Sequence, residues 1–197
     1  MIKRLRKVSI FMAAAICLTT SGHALAAPVV QLEWLPASPE TGSIFEVKIM
    51  GKDFLDLYAY NFTLNYDPAL MRALSVDEGA LLSSAGATFF IPGSIDDITG
   101  SISFTGASLL GITAGAYGDG SLAVMRFEAL SQGIAQLILS DLLFLDSALN
   151  DIDVASQNQT ITISSAGFVP EPASLLLLLI GLGMGLSRPY RKRSSTQ

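Results

Sequence analysis

Tyr58-Ala59-Tyr60-Asn61-Phe62-Thr63-Leu64-Asn65-Tyr66-Asp67-Pro68 is the stretch that decides the fold. Tyr58, Tyr60, Phe62, Leu64 and Tyr66 occupy alternate positions, with Asn61, Thr63 and Asn65 between them. A period of two puts the apolar set on one face of a β-strand and the polar set on the other. Proline has no N–H to give a ladder, so Asp67-Pro68 ends the strand. So continuous an apolar face predicts core packing. The alternative use of the same rings is a carbohydrate-stacking platform of Tyr58, Tyr60, Tyr66 and Trp34.

The period of two continues on both sides. Val30, Leu32 and Trp34 alternate with Gln31 and Glu33; Phe45, Val47 and Ile49 alternate with Glu46 and Lys48. Residues 36–42 between them form a Pro- and Gly-containing turn. Residues 70–76 read as a short extended piece and 78–82 as one helical turn. Residues 88–91 are a strand stopped by Pro92-Gly93. After a turn at 95–100, residues 101–105 predict a strand with Ile102 and Phe104 inward. Residues 106–120, rich in Gly and Ala, read as a loop or weak strand, and Asp53 and Asp56 as turn residues. Strands at 122–130, 134–139, 142–145 and 159–164 complete the set. About nine or ten short strands with turn signals roughly every 8–12 residues predict an all-β antiparallel sandwich.

The two ends of the chain are of another kind. Lys3, Arg4, Arg6 and Lys7 precede an apolar run, and Ala24-Leu25-Ala26 satisfies the small-x-small cleavage rule. Residues 1–27 therefore read as a secretory signal peptide for signal peptidase. At the other end Val169, Pro170, Glu171 and Pro172 lead into an apolar run, followed by Arg188, Arg191, Lys192 and Arg193. The basic end stays on the cytoplasmic side by the positive-inside rule. The apolar run at 173–186 has 14 residues, about 21 Å of helix against a bilayer core of about 30 Å. A transmembrane helix at about 173–190 thus borrows flanking residues and suits a temporary anchor.

This Pro-Glu-Pro motif, apolar helix and Arg-rich end at the C-terminus resemble the PEP-CTERM sorting tail of Gram-negative bacteria. The resemblance implies transient residence in the inner membrane and recognition by an exosortase. It further implies removal of residues 169–197 and delivery of the body to the cell surface or extracellular matrix. A plain single-span anchor is the other reading of the segment.

Between the ends lies one domain, residues 28–168, long enough for a sizeable core. It holds four basic and sixteen acidic residues, a balance of −12. Such a body repels nucleic acid and anionic lipid. In it, Gly42 to Ile49, the run from Phe62 to Leu70, Val76-Asp77-Glu78-Gly79, and Gly120 to Phe127 resemble a cohesin-type domain. The resemblance implies a cohesin-like antiparallel β-sandwich (a jelly roll of about nine strands). It also implies a binding role, toward a protein partner or a carbohydrate, as a surface or matrix component. It carries over no ligand-contacting residue.

The chain's one Cys, Cys17, and one His, His23, leave with the signal peptide. That excludes Ser-His and Cys-His nucleophilic systems and His-bound zinc in the mature body. Carboxylates remain, but no pair is marked by spacing for glycoside hydrolysis. The expectation is a non-enzyme. The alternative is a polysaccharide-degradation accessory protein or a weak carboxylate-based glycoside hydrolase. Asp146, Asn150, Asp151 and Asp153 place oxygen ligands in one turn-rich loop, as calcium requires. The same residues equally build Asx turns in a solvated loop.

Overall fold

The computed structural model describes residues 27–167. The signal peptide, apart from Ala27, lies outside the described residues, as do the motif Val169-Pro170-Glu171-Pro172, the apolar helix and the basic end. Among the described residues no helix is long and apolar enough to cross a membrane.

Among the described residues eleven strands and one short helix follow in order. They are β1 (Val29–Leu35), β2 (Ile44–Leu57), β3 (Ala59–Asn65), β4 (Met71–Glu78), α1 (Ala80–Ala85) and β5 (Thr88–Ile91). Then come β6 (Ser94–Asp96), β7 (Ser101–Leu109), β8 (Ala116–Ala129), β9 (Gly133–Leu145), β10 (Ala155–Ser156) and β11 (Gln159–Ile163). One sheet has the order β10-β1-β2-β8-β4; the other has β11-β9-β3-β7-β5, with β6 also on β7. The chain passes repeatedly from one sheet to the other, so the sandwich closes through sequence-distant partners. Pairing between the strands is antiparallel except where the two residues of β10 lie parallel to β1, and an isolated parallel bridge joins Glu40 and Ser164.

Alternation explains the core. Tyr60, Phe62 and Leu64 on β3, with Tyr66 just beyond its end, face Phe45, Val47 and Ile49 on β2 and Met125 and Phe127 on β8, all buried. Rings interlock within and across the layers: Tyr60 stacks on Phe62 and Phe144 of its own sheet, and Tyr66 meets Phe127 of the other edge-on at 5.2 Å. Each fully buried side chain of this size contributes about 1.5–3 kcal/mol by leaving water.

The strand ends follow from local chemistry. Asp67 Oδ1 accepts the Ala69 N–H, turning the chain as β3 stops at Asn65. Gly100 has φ 71°, and a Cβ there would come within 2.2 Å of the Tyr66 carbonyl; its own carbonyl accepts the Tyr66 N–H.

Three expectations change. The Gly- and Ala-rich stretch is largely strand, since β7 runs to Leu109 and β8 starts at Ala116. The two pieces expected at 134–139 and 142–145 are one strand, β9, interrupted at Asp141. Asp53 and Asp56 lie inside β2 rather than in a turn. Asp53 sits at φ 58° in a register shift, and the Asp56 carboxylate reaches across to Gly115 and Ser147.

Candidate interaction surface

The outward faces of the two sheets present different chemistry. On the first sheet Lys48, Lys52, Arg72 and Arg126 supply every basic residue of the domain. Arg72 pairs with Glu128, Arg126 Nε with Glu46 Oε1 at 3.3 Å, and Lys52 Nζ with Asp119 Oδ2 at 3.6 Å. Lys48 stands in register opposite Glu33. Each basic residue of this face thus has an acidic neighbour, and Leu35, Ile44 and Leu74 are exposed toward one end of the sheet.

The second sheet faces outward with Asn61, Thr63 and Asn65 from β3, flanked by serines of β7 and β9. Exposed apolar side chains rise among these small polar groups: Phe89 (59%) and Ile91 (46%) on β5, Phe104 (71%) on β7 and Leu143 (47%) on β9. Leu143, Asn61, Gly106 and Ile91 share one level across four strands. Only glycine fits at Gly106, because a Cβ would lie 2.5 Å from the Tyr60 carbonyl. Asp141 on β9 is the one charged residue within strands β11, β9, β3, β7 and β5. Desolvating such a face on association costs little, since few ionic groups lose water.

Phe104 corrects the sequence-based expectation. Ile102 points inward and is buried, but Phe104 points outward. The reason is a bulge: Phe62 pairs with Thr105 and Leu64 with Ile102, so Ser103 and Phe104 together oppose Thr63. Phe104 takes φ 60°, which lets alternation restart after it. No signal inside residues 101–105 marks this, because a bulge is a property of the pairing and not of one strand.

The tyrosine platform is not formed. Tyr60 and Tyr66 are buried, with their hydroxyls donating to the Leu122 carbonyl and to Asp97 Oδ1. Burial raises the pKa of both phenols; that of Tyr66, also held by Asp97, is pushed up to about 12. Tyr58 is half-buried and donates to the Gly111 carbonyl, and Trp34 Nε1 donates to the Ala37 carbonyl.

The late acidic loop is built by its own hydrogen bonds. Asp146 Oδ1 accepts the N–H groups of Ala148 and Asn150, and Oδ2 accepts Asn150 Nδ2 at 3.0 Å. Asp56 Oδ2 takes Ser147 Oγ–H at 2.6 Å, and its Oδ1 takes the Gly115 N–H. These donors hold both carboxyls below the usual range, the Asn150 side chain contributing most for Asp146 and the Ser147 hydroxyl for Asp56. Asp151 and Asp153 are exposed further along the loop. Among the described residues no group of three or more His, Cys, Asp or Glu side chains is gathered to hold a metal ion. Asp146 and Asn150 thus bond to each other in closing the loop.

The comparisons agree with this architecture. The cohesin-domain family model matches residues 35–163. A non-cellulosomal cohesin from the archaeon Archaeoglobus fulgidus is 20% identical, with 71% of this chain and 93% of that one covered at a TM-score of 0.56. The second type II cohesin module of the adaptor scaffoldin ScaA from Acetivibrio cellulolyticus is 15% identical, covering 76% and 96% at a TM-score of 0.60. A type II cohesin–X-dockerin complex from the same organism is 15% identical, covering 71% and 99% at 0.57. No curated protein matches the chain.

Proposed function

Because this chain belongs to the cohesin family, we propose that it is a secreted, non-catalytic interaction protein that holds a protein partner on the outer face of its second sheet. The observation that carries this reading is the set of exposed apolar residues Phe89, Ile91, Phe104 and Leu143 on a face without a basic residue. Apolar anchors in a ring of small hydrogen-bonding groups are what protein interfaces use at their centres. Solved relatives include cohesins bound to dockerins, so a dockerin-like module is the partner class to try first.

Delivery rests on the sequence at the two ends. The signal peptide exports the chain. The Val169-Pro170-Glu171-Pro172 tail then holds it at the inner membrane until an exosortase removes the tail, leaving the body at the surface or in the matrix. Carbohydrate is the less favoured ligand, because burial of Tyr60 and Tyr66 takes away its stacking platform.

The test passes the full chain, purified in mild detergent, over immobilised dockerin modules and over insoluble polysaccharides. Retention on a dockerin that Ile91→Asp abolishes supports the reading. Retention on polysaccharide alone replaces it with carbohydrate binding, and retention on neither removes it. For delivery, mass spectrometry of the extracellular fraction of the native host should find the body ending before about Pro172. Intact tail found only in membranes would make the segment a plain anchor.

A further inference from the structure

Within its sheet β3 is the strand whose ladder is broken on both sides. On the β7 side Ser103 and Phe104 stand against Thr63; on the β9 side Asp141 and Leu142 stand against Phe62. Phe104 and Asp141 adopt φ of 60° and 51°. A short carboxylate side chain tolerates this left-handed region, but a bulky ring does not. A glycine would make the same bulge without the steric cost.

Phe104 carries a second cost in the same place, because 71% of it lies in water. Among the described residues its ring stacks on no other ring. No ring contact among the described residues offsets the strain or the exposure. Backbone strain of this kind persists at binding sites, where it fixes a side chain before the partner arrives. Thr63, outward by alternation yet only 9% exposed, sits between the two bulges.

We propose that Phe104 is the anchor residue of the interaction face, entering an apolar hollow of the protein partner. Asp141, on the far side of Thr63, receives a basic or N–H-donating group of that same partner. The inference rests on the protein-partner reading of this face. Charge selects the kind of partner. The face has no Lys or Arg, so a second copy placed on it by a two-fold axis offers Asp141 no cation. The domain's own cations are on the opposite sheet, three of them paired there. The partner is therefore a different protein with an apolar hollow edged by Lys or Arg.

The test uses the full chain in mild detergent and the dockerin module that the wild type retains, followed by calorimetry and thermal unfolding. Asn accepts a positive φ, so Phe104→Asn removes the ring without forcing the backbone. Phe104→Asn is expected to weaken binding about 100-fold and leave the melting temperature unchanged or raised. Phe104→Tyr should keep affinity within about threefold, since the ring is retained. Asp141→Asn should lose about tenfold and most of the salt dependence of binding. Phe104→Asn binding like wild type would overturn the proposal, as would a fall in its melting temperature of more than about 8 °C, which marks a structural residue. Retention of binding by Phe104→Asn leaves the protein-partner reading standing. Failure of the wild type on every dockerin module removes that reading and this inference with it.

Discussion

The outer face of β10-β1-β2-β8-β4 carries all four basic residues of the domain, and the outer face of β11-β9-β3-β7-β5 carries none. Both sheets share the two-residue repeat and one core, so burial cannot account for the contrast. The clearest local version is at two residues with nearly the same φ. On the first sheet Asp53, at 58°, has its N–H held by Asp119 Oδ1, and Asp119 in turn meets Lys52. On the second sheet Phe104, at 60°, holds a ring out into water. The first irregularity is tied into a hydrogen bond and an ion pair, and the second carries an exposed ring. A surface carrying charges of both signs and a surface nearly without charge thus sit back to back on one scaffold.

The largest effect should come from the side that the two sheets have in common. Phe62→Ala and Phe127→Ala, both at fully buried positions, should each cost about 3–5 kcal/mol in chemical denaturation. A much smaller loss for one of them would mean that the sheets do not share a single cooperative core. Next, Leu143→Asp on the second face should weaken partner binding by about 2 kcal/mol, and Lys48→Glu on the first by less than about 0.5 kcal/mol. Equal losses measured by calorimetry would erase the distinction between the faces.

Smaller again is the charged ladder itself. Arg126→Ala, which breaks the half-exposed pair with Glu46, should cost no more than about 1 kcal/mol and less still at high salt. A larger loss that persists in salt would make that face a structural element rather than a solubilising one. The smallest effect concerns acid. Asp56 and Asp146 have folded-state pKa values depressed below the ordinary 3.8 by their hydrogen bonds. The stability they add is present above that value and fades as pH falls through their lower folded values. Urea titrations at falling pH should show the late loop loosening below about pH 4, and Asp56→Asn should blunt that sensitivity. An unchanged acid profile would separate Asp56 from the loop.

Much of this architecture was legible because alternation reports burial one strand at a time. Tyr60, Phe62, Leu64 and Tyr66 read directly as a core face, and Asp67-Pro68 as its end. What stayed hidden depends on partners far away in the chain. Phe104 reads as inward until its register against Leu64 and Phe62 is known. Asp56 reads as a turn residue until Ser147, ninety-one positions later, donates to it. The two residues of β10 are recognisable only from their pairing with Val29 and Val30. The acidic loop shows the same limit differently, since Asp and Asn serve Asx turns and cation sites with identical atoms.

The carboxyl end of the domain has a mechanical consequence. Ser164 is clamped on both sides, its N–H to the Pro39 carbonyl and its carbonyl to the Thr41 N–H and hydroxyl. It leaves the sandwich at the end where the β1–β2 connection lies, opposite to where β1 begins. A pull delivered at Ser164 therefore runs along β11, whose five residues from Gln159 to Ile163 are all paired with β9. Ladder bonds lie across the strands, so such a force strains them together in shear instead of peeling them one by one. β9 pairs with β3, and β3 with β7, which carries Phe104. Tension between a tether at the carboxyl end and a partner on the second face would thus enter the second sheet along β11 and, through the Ser164 clamp, the β1–β2 connection of the charged sheet.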